Sequence, residues 1–112
     1  MYIYLYNQNN SYGAFTAPVI KSQPENGMVW TKGNDVYVYT ESPEMANLIA
    51  ETHTSVYFDG SGDCPCCGNR WYRFYPEDVT YRYGVHDPST MSDSDMNRHN
   101  VPFSIREEYT NV

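Results

Sequence analysis

The stretch "DVYVYTESPEMANLIAETH", residues 35 to 53, changes its hydrophobic period at its middle and so decides the fold. Its first part alternates valine and tyrosine, which predicts a β-strand with Val36 and Val38 on one face. Ser42 is then a good helix N-cap, and Pro43 is a good first helical residue. The stretch therefore predicts a strand followed by a helix over residues 43 to 52.

The predicted helix has one apolar side. This side follows the i, i+3, i+4, i+7 spacing of a single helical face and consists of Met45, Leu48, Ile49 and Thr52. A helix this short is marginal in water on its own, so its stability must come from packing that face on a sheet.

Two further segments alternate like the first strand, "YIYLY" at residues 2 to 6 and "TSVYFDG" at residues 54 to 60. In all three strands one face carries aliphatic or phenylalanine side chains, namely Ile3, Leu5, Val36, Val38, Val56 and Phe58. The other face carries Tyr2, Tyr4, Tyr6, Tyr37, Tyr39 and Tyr57. The sequence therefore predicts an α+β fold, a small single-domain sheet with one short helix packed on one face and a tyrosine-rich opposite face.

The rest of the chain predicts less regular structure. At 112 residues the chain has the length of one domain. We expect an α+β domain over residues 1–85, with a cysteine turn at residues 60–71. Residues 86–100 hold almost no large apolar group, which predicts an exposed or disordered loop. Val101, Phe103 and Ile105 alternate, so residues 101–112 are interpreted as a possible edge strand and tail.

The predicted tyrosine face has three interpretations. The later segments, residues 71 to 83 and 101 to 105, can pack on it as a second layer. It can form a homodimer or partner interface, since tyrosine combines a large contact area with a polar end. It can also be a platform on which the base of a small nucleotide stacks.

The charge of the chain restricts its partners. Its formal net charge is −7, with 14 acidic and 7 basic residues, so long nucleic acid is an unlikely ligand. All five arginines follow the cysteine cluster, so the second half can hold an anion site, although pairing with nearby acidic side chains is the preferred explanation. There is no secretory signal pattern and no apolar run long enough to span a membrane, so we expect a cytoplasmic protein.

The cysteine turn, "GDCPCCGNRW" at residues 62 to 71, holds every cysteine of the chain. Cys64 and Cys67 have the spacing of a zinc knuckle, and Cys66 adds a third thiol. A structural zinc site needs four ligands, so these thiols would require a histidine such as His53, or a second copy of the chain. Redox chemistry at the adjacent thiols and a turn of buried free thiols are the other interpretations.

Residues 56 to 71, "VYFDGSGDCPCCGNRW", resemble a signature of a family of small proteins of tailed bacteriophages. The matching positions run from Tyr57 to Gly60 and from Asp63 to Trp71, except the variable position of Asn69, with Ala46 and Ala50 on the preceding helix. The resemblance implies a phage origin and action in a bacterial cytoplasm. It implies no mechanism.

No motif of nucleophilic, phosphate-loop or paired-histidine metal chemistry occurs in the sequence. We therefore expect a non-catalytic binder that antagonises a host defence system, either by sequestering a nucleotide-derived signal or by occluding a host protein. The predicted ligand-binding residues are Tyr57, Asp59, Arg70, Trp71 and Arg73, and the predicted metal ligands are Cys64, Cys66, Cys67 and His53. The alternatives are a zinc-stabilised dimerisation module and an acidic mimic of nucleic acid.

Overall fold

The computed structural model describes residues 1–9, 15–58, 69–76 and 84–109. In chain order its elements are β1 (Tyr2–Tyr6), β2 (Met28–Lys32), β3 (Asp35–Thr40), α1 (Pro43–His53), β4 (Val85–His86), a 3₁₀ turn (Pro88–Thr90), α2 (Asp93–Arg98) and α3 (Phe103–Tyr109). None of the helices in the described ranges is long and apolar enough to cross a membrane.

The strands form one antiparallel sheet in the order β2-β3-β1-β4. β2 and β3 are joined by a two-residue hairpin turn at Gly33 and Asn34, which brings Lys32 opposite Asp35. Gly33 has a φ of 62°, a value that glycine adopts without strain at the first central position of such a turn. The α+β class is confirmed.

The register of β1 against β3 corrects the predicted distribution of the tyrosines. Tyr4 lies opposite Val38, and Ile3 lies opposite Tyr39. Directly opposed residues of an antiparallel pair share a face, so each face of the sheet receives tyrosines from one strand and aliphatic residues from the other. The face opposite α1 carries Tyr37 and Tyr39 from the sheet, and a layer of six tyrosines does not form.

Helix α1 packs on the first face of the sheet as expected, but through a different stripe. Its buried residues are Pro43, Ala46, Ile49 and Ala50. Leu48, predicted to face the sheet, is 58% exposed. The face that packs on the sheet therefore centres on the small alanines, and the longer leucine lies towards solvent.

The first core continues beyond the helix with Val56, Phe58, Trp71 and Phe74, all buried. The strand predicted over residues 54 to 60 is wrong for its described part. Thr54 makes only an isolated bridge to Ile20, and the residues that follow it up to Phe58 do not join the sheet. Val56 and Phe58 are buried in the core, and the Ser55 N–H donates to the Val19 carbonyl at 2.9 Å.

The second face of the sheet is covered by the C-terminal segment, so the loop predicted over residues 86–100 is wrong. Helix α2 occupies part of it, and Met96 of that helix is buried. Ser92 and Asp95 form a reciprocal capping box at its start. At its end Val101 donates to the carbonyl of Met96 at 3.0 Å, and Asn100 has a φ of 51°. This is a Schellman termination, which fixes where the helix stops.

The edge strand predicted over residues 101–112 is also wrong for its described part, because residues 103 to 109 form α3. Val101 and Ile105 are buried against the sheet, and Phe103 is 74% exposed. Arg106 joins the two C-terminal helices, since its guanidinium donates to the carbonyls of Val101 and Met96. The Met96 carbonyl, which already accepts from the Val101 N–H, thereby gains a second donor, and the cation ties α3 to the end of α2.

Strand β2 lies at the outer edge of the sheet, and a side chain occupies part of that edge. The Gln23 amide donates to the Val29 carbonyl at 3.0 Å and accepts from the Val29 N–H at 3.1 Å. These are the two bonds that a neighbouring strand would make at this residue. Gln23 therefore blocks strand pairing at Val29, near the start of β2.

Candidate functional site

The C-terminal segment leaves one end of the second face open, beside the β2–β3 turn. The space there is a cleft of about 570 Å³, which we call the hairpin cleft. It is lined by Leu5, Asn7, Gln8, Phe15, Lys32, Gly33, Asn34, Asp35, Tyr37, Arg98 and His99. Its floor is built by three strands and one of its walls by the end of α2.

Three polar side chains lie across the strand ends in this cleft. Asp35 begins the central strand β3, Lys32 ends β2 on one side of it, and Asn7 directly follows β1 on the other. Adjacent strands lie about 4.8 Å apart, so the row from Lys32 to Asn7 spans about 10 Å. The row has a cationic end and an amide end, with the carboxyl group of Asp35 between them.

The cationic end consists of Lys32 and Arg98. The Lys32 ammonium donates to the backbone carbonyl of Arg98, which ties β2 to the end of α2. The Arg98 guanidinium pairs with Asp95 at 2.8 Å, and its side chain is 66% exposed. An exposed pair of this kind is weak, so the Arg98 guanidinium is accessible to an anion entering the cleft, and Lys32 is also exposed there.

A buried aromatic wall backs these cations, since Tyr37 is 3% exposed and Trp30 is 8% exposed. The rings of Tyr37 and Trp30 are stacked, with centroids 5.2 Å apart and planes 4° apart. The Tyr37 hydroxyl is 2.9 Å from Nδ1 of His99, and the Trp30 indole N–H donates to the His99 carbonyl at 3.0 Å. Because both rings are held at their polar ends, the wall is preorganised.

The carboxyl group of Asp35 is partly buried, and this burial raises its pKa above the usual value. The backbone N–H of Gln8 donates to it and opposes that shift. The Asn7 amide, with its nitrogen facing Asp35, lies 3.2 and 3.3 Å from the two carboxylate oxygens. A perturbed carboxyl group in a cleft is typical of functional sites.

Gln8 organises the wall on the amide side. Its side chain is buried and donates to the carbonyls of Thr16 and Asn34. Its oxygen accepts from the Thr16 N–H and from the Arg70 guanidinium, each at 3.0 Å. Thr16 is thereby fixed at the cleft, and Phe15, which precedes it, is 49% exposed there.

Two imidazoles meet behind the cleft. The rings of His86 and His99 have centroids 4.8 Å apart. Burial is the main cause that lowers the pKa of His86, and Arg98 also lowers it. Burial lowers the pKa of His99 as well, with further contributions from His86, Arg98 and Lys32. The carboxylate of Asp95 raises both values, and its effect is smaller than that of burial.

This pair predicts a loss of stability in mild acid. Both folded-state pKa values lie below the unfolded value of about 6.5, so under acid conditions the unfolded chain binds more protons than the folded chain. The free energy of unfolding is expected to be steady above about pH 6.5 and to fall below it, by at most about 1.4 kcal/mol per pH unit for each histidine. Urea unfolding between about pH 7.5 and about pH 5.5 measures the slope.

The control for this pH dependence is His53→Gln, because His53 does not contribute to the pKa shift of His86 or of His99. The double variant H86Q/H99N is expected to flatten the dependence of the free energy of unfolding on pH. His53→Gln is expected to keep the part of that dependence that comes from His86 and His99. Equal slopes in the double variant and the original chain contradict the assignment.

The ligand-binding residues predicted from the sequence do not form one site in the structure. Arg70 points to Gln8 and so supports the hairpin cleft from behind. Trp71 is only 2% exposed and belongs to the first core. Arg73 lies over the Phe58 ring at 5.1 Å. Trp71 and Arg73 share a pocket of about 180 Å³, below the roughly 300 Å³ at which small-molecule sites begin.

The rest of that prediction remains open. Tyr57 is 38% exposed and is not part of the sheet. Asp59 lies outside the described residues, as do Cys64, Cys66 and Cys67. The zinc site they were predicted to form therefore stays a prediction.

His53, the fourth predicted metal ligand, ends α1, and its Nδ1 is 2.6 Å from the Ser22 hydroxyl. Within the described part of the chain no group of three or more His, Cys, Asp or Glu side chains is arranged to hold a metal ion.

Sequence patterns gave little sign of the hairpin cleft. "KGND", residues 32 to 35, indicates a turn, and the turn alone places Lys32 beside Asp35. Arg98 and His99 come from a segment predicted to be an exposed loop. Their approach to the hairpin depends on the second layer, which no local pattern reveals.

A four-stranded antiparallel sheet with a helix packed against it defines a small α+β protein. The chain belongs to the family described as a domain of unknown function, DUF7296, whose profile matches residues 1–107. No curated protein and no solved structure matches the chain significantly.

Proposed function

We propose that this protein binds a small, anionic, nucleotide-derived ligand in the hairpin cleft. The observation that carries the proposal is the meeting of Lys32 and Arg98 with the exposed ring of Phe15 in one open cleft, although the chain as a whole is acidic. Cations supply charge-assisted hydrogen bonds to phosphate, and aromatic faces stack on bases. The combination suits a nucleotide better than it suits an inorganic anion or an apolar ligand.

The size and charge of the molecule support a small ligand. A cleft of about 570 Å³ falls within the range of small-molecule sites. The net charge of −7 repels a long phosphate backbone, whereas one or two phosphates can be neutralised locally by the two cations.

The biological setting we propose comes from the phage-like cysteine signature at residues 56 to 71. A phage protein that holds a nucleotide in its host removes that nucleotide from circulation. Sequestration of a nucleotide-derived signal of host defence therefore fits both the signature and the cleft. It needs no catalytic group.

Calorimetry with a nucleotide panel tests the proposal. The panel comprises nucleoside monophosphates, cyclic dinucleotides and ADP-ribose. At least one member is expected to bind, and Lys32→Gln is expected to weaken it by about tenfold or more, since a charge-assisted bond contributes about 1.5–3 kcal/mol. Lys21→Gln is the matched control, because Lys21 is the chain's other lysine and does not line the cleft. No binding by any member, or equal loss in both variants, contradicts the proposal.

A further inference from the structure

We infer that Asp35 makes the hairpin cleft selective for guanine, so that the ligand is a guanine nucleotide. This inference rests on the proposed nucleotide-binding function and adds the identity of the base. Two observations support it: the Asp35 carboxylate can accept further hydrogen bonds, and the cleft holds an aromatic ring and two cations near this carboxylate.

The Asp35 carboxylate has unused acceptor capacity. Lys32 lies directly opposite Asp35 in the hairpin, yet the Lys32 ammonium donates to the backbone carbonyl of Arg98 instead. Within the described ranges no cation forms an ion pair with Asp35; its donors are the Gln8 N–H and the Asn7 amide. A carboxylate accepts about four hydrogen bonds, so a ligand with adjacent N–H donors completes the set.

Guanine carries such donors on one edge, the N1–H and the N2 amino group. Two parallel N–H groups match the two oxygens of one carboxylate, as a guanidinium does. Adenine presents an unprotonated nitrogen at the corresponding ring position, which would face the carboxylate as a second acceptor. An acceptor held against an acceptor in a partly buried site is unfavourable, so the same group attracts guanine and rejects adenine.

The cleft also places the remaining parts of a nucleotide. Phe15 is exposed beside the Asn7 end, where its ring can stack on a base held by Asp35. Lys32 and Arg98 lie towards the opposite end, at the outer strand. Lys32 lies directly opposite Asp35, one strand spacing of about 4.8 Å away, so a phosphate on a base held by Asp35 lies beyond Lys32, towards the exposed Arg98 guanidinium. The edge of the base, the face of the base and the phosphate thus each have a separate partner in the cleft.

The test compares GMP, IMP, AMP and XMP by calorimetry. IMP lacks the N2 amino group, and XMP has a carbonyl oxygen in its place. The original chain is expected to prefer GMP to IMP and AMP by about tenfold or more. In Asp35→Asn the side-chain amide presents one donor and one acceptor, so GMP is expected to weaken by about tenfold and XMP to gain relative to GMP.

Asp93→Asn makes the same chemical change on an exposed residue of α2 outside the cleft, and it is expected to keep the preference for GMP. Urea unfolding of Asp35→Asn verifies that it is folded; if it is not, the preference of the original chain still decides. Nucleotides that bind without base preference, or a preference unchanged in a folded Asp35→Asn, overturn the inference and leave the proposed function intact. A panel in which nothing binds overturns both.

Discussion

Replacing Trp71 by alanine is expected to lower the free energy of unfolding by about 3–5 kcal/mol, the range for large aromatic residues removed from a core. Trp71 is 2% exposed and packs in the cluster that joins α1 to the first face of the sheet. The cavity it leaves cannot be filled by neighbours that are already close-packed. The midpoint of urea unfolding, measured together with the slope m, reports the loss.

Tyr72→Ala is the matched control for this change. Tyr72 is the next residue and is 47% exposed, so its removal is expected to cost no more than about 0.5 kcal/mol. The pair separates a core role of the indole from the ligand-binding role that the sequence indicated. A Trp71→Ala protein that is as stable as the original but has lost nucleotide binding would show that the ligand-binding role is correct.

Ile105→Ala is expected to cost about 2–5 kcal/mol, because Ile105 is buried between α3 and the second face of the sheet. The change tests whether the C-terminal segment is part of the folded core. It acts on the layer that carries Arg98 and His99 to the hairpin cleft, so nucleotide affinity is expected to fall with stability. Urea unfolding measures the first effect and calorimetry the second.

Phe103→Ala on the same helix is the control. Phe103 is the larger residue but is 74% exposed, so its removal is expected to change the free energy of unfolding by no more than about 0.5 kcal/mol. If α3 were instead an edge strand, Phe103 and Ile105 would lie on one face and the two substitutions would have similar effects. Similar costs for both would therefore contradict the helix.

Local patterns predicted the elements whose signals are complete within a few residues. The strands at residues 2 to 6 and 35 to 40 alternate without interruption, and α1 begins at the predicted cap, where the Ser42 hydroxyl accepts from the Met45 N–H. Register is not local. Alternation shows that two faces exist, but which faces of β1 and β3 coincide depends on their pairing, and that pairing placed Tyr4 beside Val38.

The C-terminal layer was missed for a different reason. Helix α2 buries one large residue, Met96, and is defined by its capping box and its Schellman end. A search for apolar periodicity does not detect such a helix. Val101, just before α3, and Ile105 within it have a spacing that agrees with both a strand and a helix. Only the exposure of Phe103 distinguishes the helix from the strand.

The cleft lies beyond local prediction because its parts are distant in sequence. The Trp30 indole reaches the carbonyl of His99 across 69 positions, and Tyr37 reaches the same residue across 62. The cysteine turn was expected to place Arg70 and Trp71 together at a site. In the structure Arg70 donates to Gln8 and Trp71 lies in the core, so one of the two contributes to the cleft.

Backbone amide chemical shifts recorded while GMP is added test the central claim, that the ligand lies in the hairpin cleft. The largest shifts are expected at Asn7, Asp35 and His99, saturating at one ligand per chain, with little change around Arg73. Shifts confined to the pocket between Trp71 and Arg73, or no shifts at a concentration that saturates the calorimetric signal, would contradict it.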